Sequence, residues 1–217
     1  MATADQVQEA YIDYVLTHNE QPKSVYIFAK QLNITEQEFY NFFASFIAIE
    51  KGIWSEFTTK AIVELQQQEV WPKYTSREKI LGFFYAYIEL LKARRSFAIY
   101  SLKKHQSRLS SPEVLSDAKT IFQNFADNVI KEGLASGELA DRKFFAKRYK
   151  DALWVQFGII LNFWINDNSN AFEKTDEAIE RGVNVTFDLF QYSPLDNIFE
   201  YGKFMTRNSR FKEKMRF

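Results

Sequence analysis

Apolar residues recur along this chain at three- and four-residue intervals, and alternation with period two is nowhere sustained. That spacing lays one apolar stripe along each successive helix and predicts an all-α protein. The first stripe, Val7, Tyr11, Tyr14 and Val15, places a helix over 4–18. From Ser24 to Ile49, SVYIFAKQLNITEQEFYNFFASFIAI, the pattern breaks into two short helices, a turn and the start of a third helix. Ser24 can cap the first of these, Phe28, Ala29 and Leu32 share one face, and Asn33 can take the left-handed conformation that leaves it. Thr35 and Glu38 then form a T-x-x-E capping box, in which hydroxyl and carboxylate satisfy each other's backbone N–H groups. Ser45 offers another cap, after which Ile49, Ile53, Phe57, Ala61 and Leu65 mark a long helix connecting two parts of the molecule. The segment 24–45 is therefore a helix-turn-helix.

Val70-Trp71-Pro72 interrupts the long helix, and the pattern that follows is again helical. Thr75 with Glu78 opens a helix through about Ala93, on Ile80, Phe84, Tyr87, Ile88 and Leu91. Phe97, Ile99, Tyr100 and Leu102 mark a short one. Ser111-Pro112 reads as a cap with proline in the first turn, and Gly133 is placed to stop the helix it starts. A further helix is predicted from Asp141 to about Asn166, another from Thr175 to about Tyr192, and a last one from Ser193-Pro194. The resulting division is a helix-turn-helix domain over 1–48 and a larger helical domain over 49–217.

Composition narrows the class. With 217 residues, 46% of them hydrophobic, and balanced charge, the chain can build a small and a medium globular core. It has no cysteine, which removes disulfides and thiolate metal sites, and its two histidines, His18 and His105, fall in different domains. There is no glycine-rich phosphate loop and no G-x-S-x-G elbow, so neither an enzyme nor a metal or other cofactor is expected. No signal peptide precedes the first amphipathic helix, and the most apolar run, Leu153 to Ile165, is too short to cross a bilayer. A cytoplasmic protein without membrane insertion is the expectation.

Two features of the larger domain point to binding. Rings are concentrated in it: Phe83, Phe84, Tyr85, Tyr87, Phe97, Tyr100, Phe122, Phe125, Phe144, Phe145 and Tyr149. They either fill an ordinary core or line an apolar cavity. In the second case Phe84, Tyr87, Tyr100, Phe122, Phe125 and Tyr149 are the candidate ligand-binding residues, with Gln156 orienting a hydrophobic small molecule or lipid. The run from Leu153 to Ile165 is apolar nearly all round and must be covered on both sides, either by its own domain and a partner or wholly within one subunit.

Phe28-Ala29 with Leu32-Asn33-Ile34-Thr35, then Tyr40-Asn41-Phe42-Phe43 and Ala44-Ser45, resembles the N-terminal domain of TetR-type transcriptional regulators. The resemblance covers about the first quarter of the chain; Asn33 stands where the family usually has glycine, and Phe46 where it usually has a phosphate-binding lysine. It implies a repressor-like regulator of double-stranded operator DNA that responds to a hydrophobic small molecule. Ser24 and Tyr40 would touch phosphates, and Thr35, Gln37, Glu38 and Asn41 would lie near base edges. It also implies a homodimer through a four-helix bundle. Leu153, Phe157, Ile160 and Trp164 would pair with Ile179, Val183, Phe187 and Phe190 as the interface.

Charge favours a second reading. From Met1 to Glu50, only Lys23 and Lys30 stand against Asp5, Glu9, Asp13, Glu20, Glu36, Glu38 and Glu50, whereas DNA affinity comes largely from cations. Phe163-Trp164-Ile165-Asn166-Asp167-Asn168-Ser169 with Phe172-Glu173-Lys174-Thr175 is similar to a segment of the TetR-like lipid-binding accessory proteins of ubiquinone biosynthesis. That resemblance implies a lipid- or partner-binding protein on the same fold, without DNA binding. Lys203, Arg207, Arg210, Lys212, Lys214 and Arg216, opposed by Glu213, form a basic terminal strip that is either solvated or attached to an acidic surface.

Overall fold

A computed structural model of the chain describes residues 2–105, 111–142, 146–191 and 201–205. The described residues form nine long or short α-helices and no strand: α1 (Ala4–His18), α2 (Val25–Gln31), α3 (Glu36–Phe42), α4 (Phe46–Gln66), α5 (Ser76–Lys92), α6 (Arg95–Lys104), α7 (Ser116–Ser136), α8 (Tyr149–Asn166) and α9 (Glu173–Phe190). The all-α architecture expected from the sequence is the one observed among the described residues. Residues 201–205 are also helical, and the helix predicted from Ser193-Pro194 otherwise lies outside the described residues, as do Phe144 and Phe145.

The predicted start signals operate. The Ser24 side chain accepts from the Ile27 amide, Ser45 from Ala48, and both Thr35–Glu38 and Thr75–Glu78 close complete capping boxes. Asn33 adopts φ 54°, and the Ile34 amide donates back to the Ala29 carbonyl at 3.0 Å, which turns the chain from α2 into α3. Phe28 holds the resulting head together: its ring meets Tyr11, Phe39 and Phe46 edge-on at 6.2, 6.2 and 5.6 Å. Each such pair adds about 0.5–1.5 kcal/mol beyond its buried area.

Helix α4 runs roughly 30 Å, at about 1.5 Å per residue, through both cores. Ile49 and Ile53 belong to the cluster of the head, together with Phe97 of α6, while Trp54, Ala61 and Leu65 belong to the second cluster. That second core is built by α4, α5, α7, α8 and α9 around the fully buried Phe83, Phe122, Phe157 and Phe187.

Three boundaries differ from the sequence expectation. Gly133 does not end α7, which continues to Ser136 and stops at Gly137 with φ 77°. Gly133 is instead a packing site, because a Cβ there would lie 2.5 Å from the Ser76 hydroxyl and 2.8 Å from Leu139. Ser111-Pro112 leads into a 3-10 turn, Glu113–Leu115, before α7 begins. Helix α8 starts at Tyr149 rather than near Asp141. The segment before it is pulled against the end of α9, where Ala140 donates to the Phe190 carbonyl and Arg142 to those of Leu189 and Gln191.

The α8–α9 corner is the most strained backbone among the described residues: Ala171 and Phe172 have φ 50° and 64°. Arg95 spans it, donating to the carbonyls of Trp164, Ile165 and Asp167 while its guanidinium lies 4.4 Å from the Phe172 ring centre and 4.7 Å from that of Trp164. The Asp167 carboxylate accepts from the amides and hydroxyls of both Ser169 and Thr175. Burial alone would raise its pKa, but the bonds from Thr175 and Ser169 outweigh burial and hold it down at about 2.

Gly133→Ala is expected to lower stability by about 1–3 kcal/mol from overpacking, although alanine is the better helix former. Urea denaturation checks this. For Asp167 the folded pKa lies below the unfolded one, so its stabilisation is complete above about pH 4 and is lost as pH falls toward about 2. The stability gap between the protein and Asp167→Asn, followed by denaturation at decreasing pH, should therefore narrow below about pH 4.

Candidate functional site

Helix α3 has one buried residue, Phe39, and this side chain anchors it to the head. The opposite side presents Gln37, Tyr40 and Asn41 to solvent, with Tyr40 52% exposed. These three expected DNA-binding residues therefore share an accessible face. Thr35 and Glu38 are committed to each other: the hydroxyl accepts from the Glu38 amide at 3.1 Å, and the carboxylate accepts from the Thr35 amide at 2.8 Å. These bonds hold the Glu38 carboxyl below its ordinary value. Ser24 is half-buried and spends its oxygen on the cap of α2. Phe46 is packed within the head, stacked on Tyr11 at 5.5 Å, so the family's lysine position here serves the core. The sequence reading did not single out Tyr26, Ile27 and Phe42, which are exposed on α2 and α3.

The acidic count of the head also changes in three dimensions. Glu9 pairs with Arg94 at 2.6 Å, and Glu50 is completely buried where head and larger domain meet. The Glu50 carboxylate accepts from the Tyr11 hydroxyl of α1 at 2.7 Å and from the Ser101 hydroxyl of α6 at 2.5 Å. Lys104 lies 3.2 Å from it and His105 3.3 Å. Trp54 donates its indole N–H to Ser101, and Lys104 also donates to Gln21. Burial first, then the Glu50 charge, pushes the Tyr11 hydroxyl well above its ordinary pKa; the same causes push Tyr100 up to about 12. Both phenols stay protonated near neutral pH. Sequence offered one signal for this junction: Glu50 falls on the buried stripe that Trp54 and Ala61 continue.

The aromatic residues expected to line a cavity mostly fill one another's space. Phe84, Tyr87, Phe122, Phe125, Tyr149 and Gln156 are buried. Phe122 lies 4.9 Å from Phe83 and 5.2 Å from Phe157, and Tyr87 lies 5.0 Å from Phe157. Tyr149 stacks on Phe190 at 4.0 Å and donates to the Ala140 carbonyl, while Tyr100 belongs to the Glu50 junction. These rings pack against one another in the core, while the Tyr87 hydroxyl and the Gln156 amide are buried there without a hydrogen-bond partner among the described residues. An apolar groove of about 500 Å³ lies elsewhere, between the end of α6, the start of α7 and α8. Leu102, Leu115, Trp154, Leu161 and Ile165 line it, and Lys103, Lys119, Asn162 and Asn166 supply its polar edge.

The residues expected at a dimer interface lie inside the single chain. Leu153, Phe157, Ile160, Trp164, Ile179, Val183, Phe187 and Phe190 are all between 0% and 5% exposed within a single chain. They have no surface left to give a partner. The helix period that turns them inward turns Val155, Ile159 and Phe163 of α8 outward, at 61%, 63% and 41% exposure, with Val185 and Leu189 of α9 also exposed. Of the basic terminal strip only Lys203 lies among the described residues. No helix of the described residues is long and apolar enough to cross a membrane.

No curated protein matches this chain. Among solved structures, it is similar to a candidate TetR family transcription regulator from Shewanella sp. PV-4, with TM-score 0.61 and 14% identity, covering 88% of this chain and all of that one. A protein of unknown function from Rhodococcus sp. RHA1 shares the fold with TM-score 0.57 and 10% identity, covering 88% of this chain and 97% of that one. At such identities the likeness is one of fold. The family described as "Tetracyclin repressor-like, C-terminal domain" matches residues 79–205, α5 through the end of the described chain. With that match over more than half its length, the chain belongs to the tetracyclin repressor-like (TetR) family.

Proposed function

We propose that the protein is a cytoplasmic TetR-type regulator that binds operator DNA as a homodimer and responds to a hydrophobic small molecule, without enzymatic activity. The observation that carries this reading is the outward face of α3, where Gln37, Tyr40 and Asn41 are free of the core that Phe39 anchors. A short helix presented in this way fits a major groove, with amide side chains suited to adenine edges and a phenol suited to phosphate. The response to a ligand is supported by the last turn of α6. Leu102 and Lys103 border the apolar groove, while Ser101 and Lys104 hold Glu50 and, through it, Tyr11 of the head. A ligand that displaces this turn would bias the position of the reading head, and with it the spacing of two heads in a dimer.

The homodimer is supported by the outer stripe of α8 and α9. Val155, Ile159 and Phe163 together with Val185 and Leu189 form an exposed apolar surface on neighbouring helices, self-complementary under a two-fold axis. The exposed Tyr26, Ile27, Tyr40 and Phe42 beside few cations favour the second reading, a lipid- or partner-binding protein on the same fold.

In a gel shift at low salt against DNA upstream of its own gene, the protein should bind, and Gln37→Ala and Tyr40→Ala should each weaken binding roughly tenfold. Absence of a shift with folded protein rejects the regulator in favour of the second reading. Ile159→Glu is expected to yield monomer in sedimentation with unchanged helical circular dichroism, since this side chain contributes to no core within the subunit. A persistent dimer would place the interface elsewhere.

A further inference from the structure

The groove between α6, α7 and α8 has a shape and a charge that specify its ligand further than "hydrophobic". Its α8 wall runs from Trp154 to Asn166, roughly 18 Å at about 1.5 Å per residue. Leu102, Leu115, Leu161 and Ile165 keep the groove apolar along that length, which matches an extended aliphatic tail.

Charge at the edge is one-sided. Among the described residues, Lys103 and Lys119 are the charged residues that line the groove, and no carboxylate lines it. The Lys103 ammonium is exposed and the Lys119 side chain half-buried, its ammonium 5.9 Å from the centre of the Trp154 ring. Of the acids elsewhere on the adjoining elements, Glu113 pairs with Lys51, Asp151 with Arg148 and Gln123, and Asp117 accepts from the Ser116 hydroxyl. Asn162 and Asn166 add amide groups on the same side of α8. An elongated apolar groove edged by two cations is complementary to an aliphatic tail that ends in an anion.

We propose that this groove binds a single-chain carboxylate, a free fatty acid, with its tail along Trp154, Leu161 and Ile165 and its head group held by Lys103 and Lys119. The proposal rests on the reading of the larger domain as a site for a hydrophobic ligand and adds the head-group requirement. Lys103 lies in the α6 turn that also holds Glu50, so a head group drawn to it acts on the junction with the reading head directly.

The test compares tetradecanoate with tetradecanol below their aggregation limits, by titration calorimetry and by quenching of tryptophan fluorescence, with Trp154→Phe identifying the reporting ring. Tetradecanoate is expected to bind with one molecule per chain, about tenfold or more tighter than the alcohol. In the double variant Lys103→Ala, Lys119→Ala the acid should fall to the affinity of the alcohol, while the alcohol itself is unaffected. Equal affinity for acid and alcohol, or unchanged binding of the acid to the double variant, overturns the head-group assignment and leaves an apolar site. Binding of neither compound to the folded protein overturns the assignment together with the hydrophobic-ligand reading of this groove. Because both lysines reach toward solvent, the double variant should keep its fold, which circular dichroism checks.

Discussion

A buried carboxylate organises this molecule. Glu50 sits where α1, α4 and α6 converge, without any exposed surface, and a carboxylate taken out of water costs several kcal/mol unless it is fully partnered. Its partners come from both sides of the junction: a phenol from the head, and a hydroxyl and an ammonium from one turn of α6. Each holds only while the head and the larger domain keep their relative position. The docking angle of the head is thus tied to the conformation of a single helical turn, and the apolar packing of Phe97 against Ile49 and Ile53 surrounds that polar centre.

The head is held by rings rather than by charge. Phe46 and Tyr11 stack, and Phe28 locks both to Phe39 of α3. Helix α3 is only two turns long, too short to be stable alone, so its geometry depends on that ring cluster and on the Thr35–Glu38 box. Its outer side presents amides and a phenol, with few cations near them.

Helix α8 divides its apolar residues three ways. Its inner stripe closes the core through Leu153, Phe157, Ile160 and Trp164; Val155, Ile159 and Phe163 face outward; and the border between the two stripes, from Trp154 through Leu161 to Ile165, lines the groove. Arg95 and Asp167 fix its far end by binding backbone groups rather than surface charges, which holds the strained corner into α9.

Much of the local architecture was determined by the sequence alone. The caps at Ser24, Thr35, Ser45 and Thr75, the left-handed turn at Asn33 and the stripes of α1, α4 and α5 depend on residues within one or two turns of each other, so their chemistry reads directly along the chain. Periodicity also showed that α8 needs two covered faces, yet it carried no sign of which face goes inward. That choice was made by α5, α7 and α9, whose side chains meet α8 only in the folded molecule. The same holds for the aromatic residues, whose packing into a closed core depends on ring orientations across four helices, and for Gly133, whose role is set by Ser76 and Leu139 pressing against it. Glu50 marks the boundary most sharply. Its place on a buried stripe is legible in sequence, but the partners that make it tolerable lie some forty residues before it and fifty after it, and only tertiary packing brings a phenol and an α6 turn to the same carboxylate.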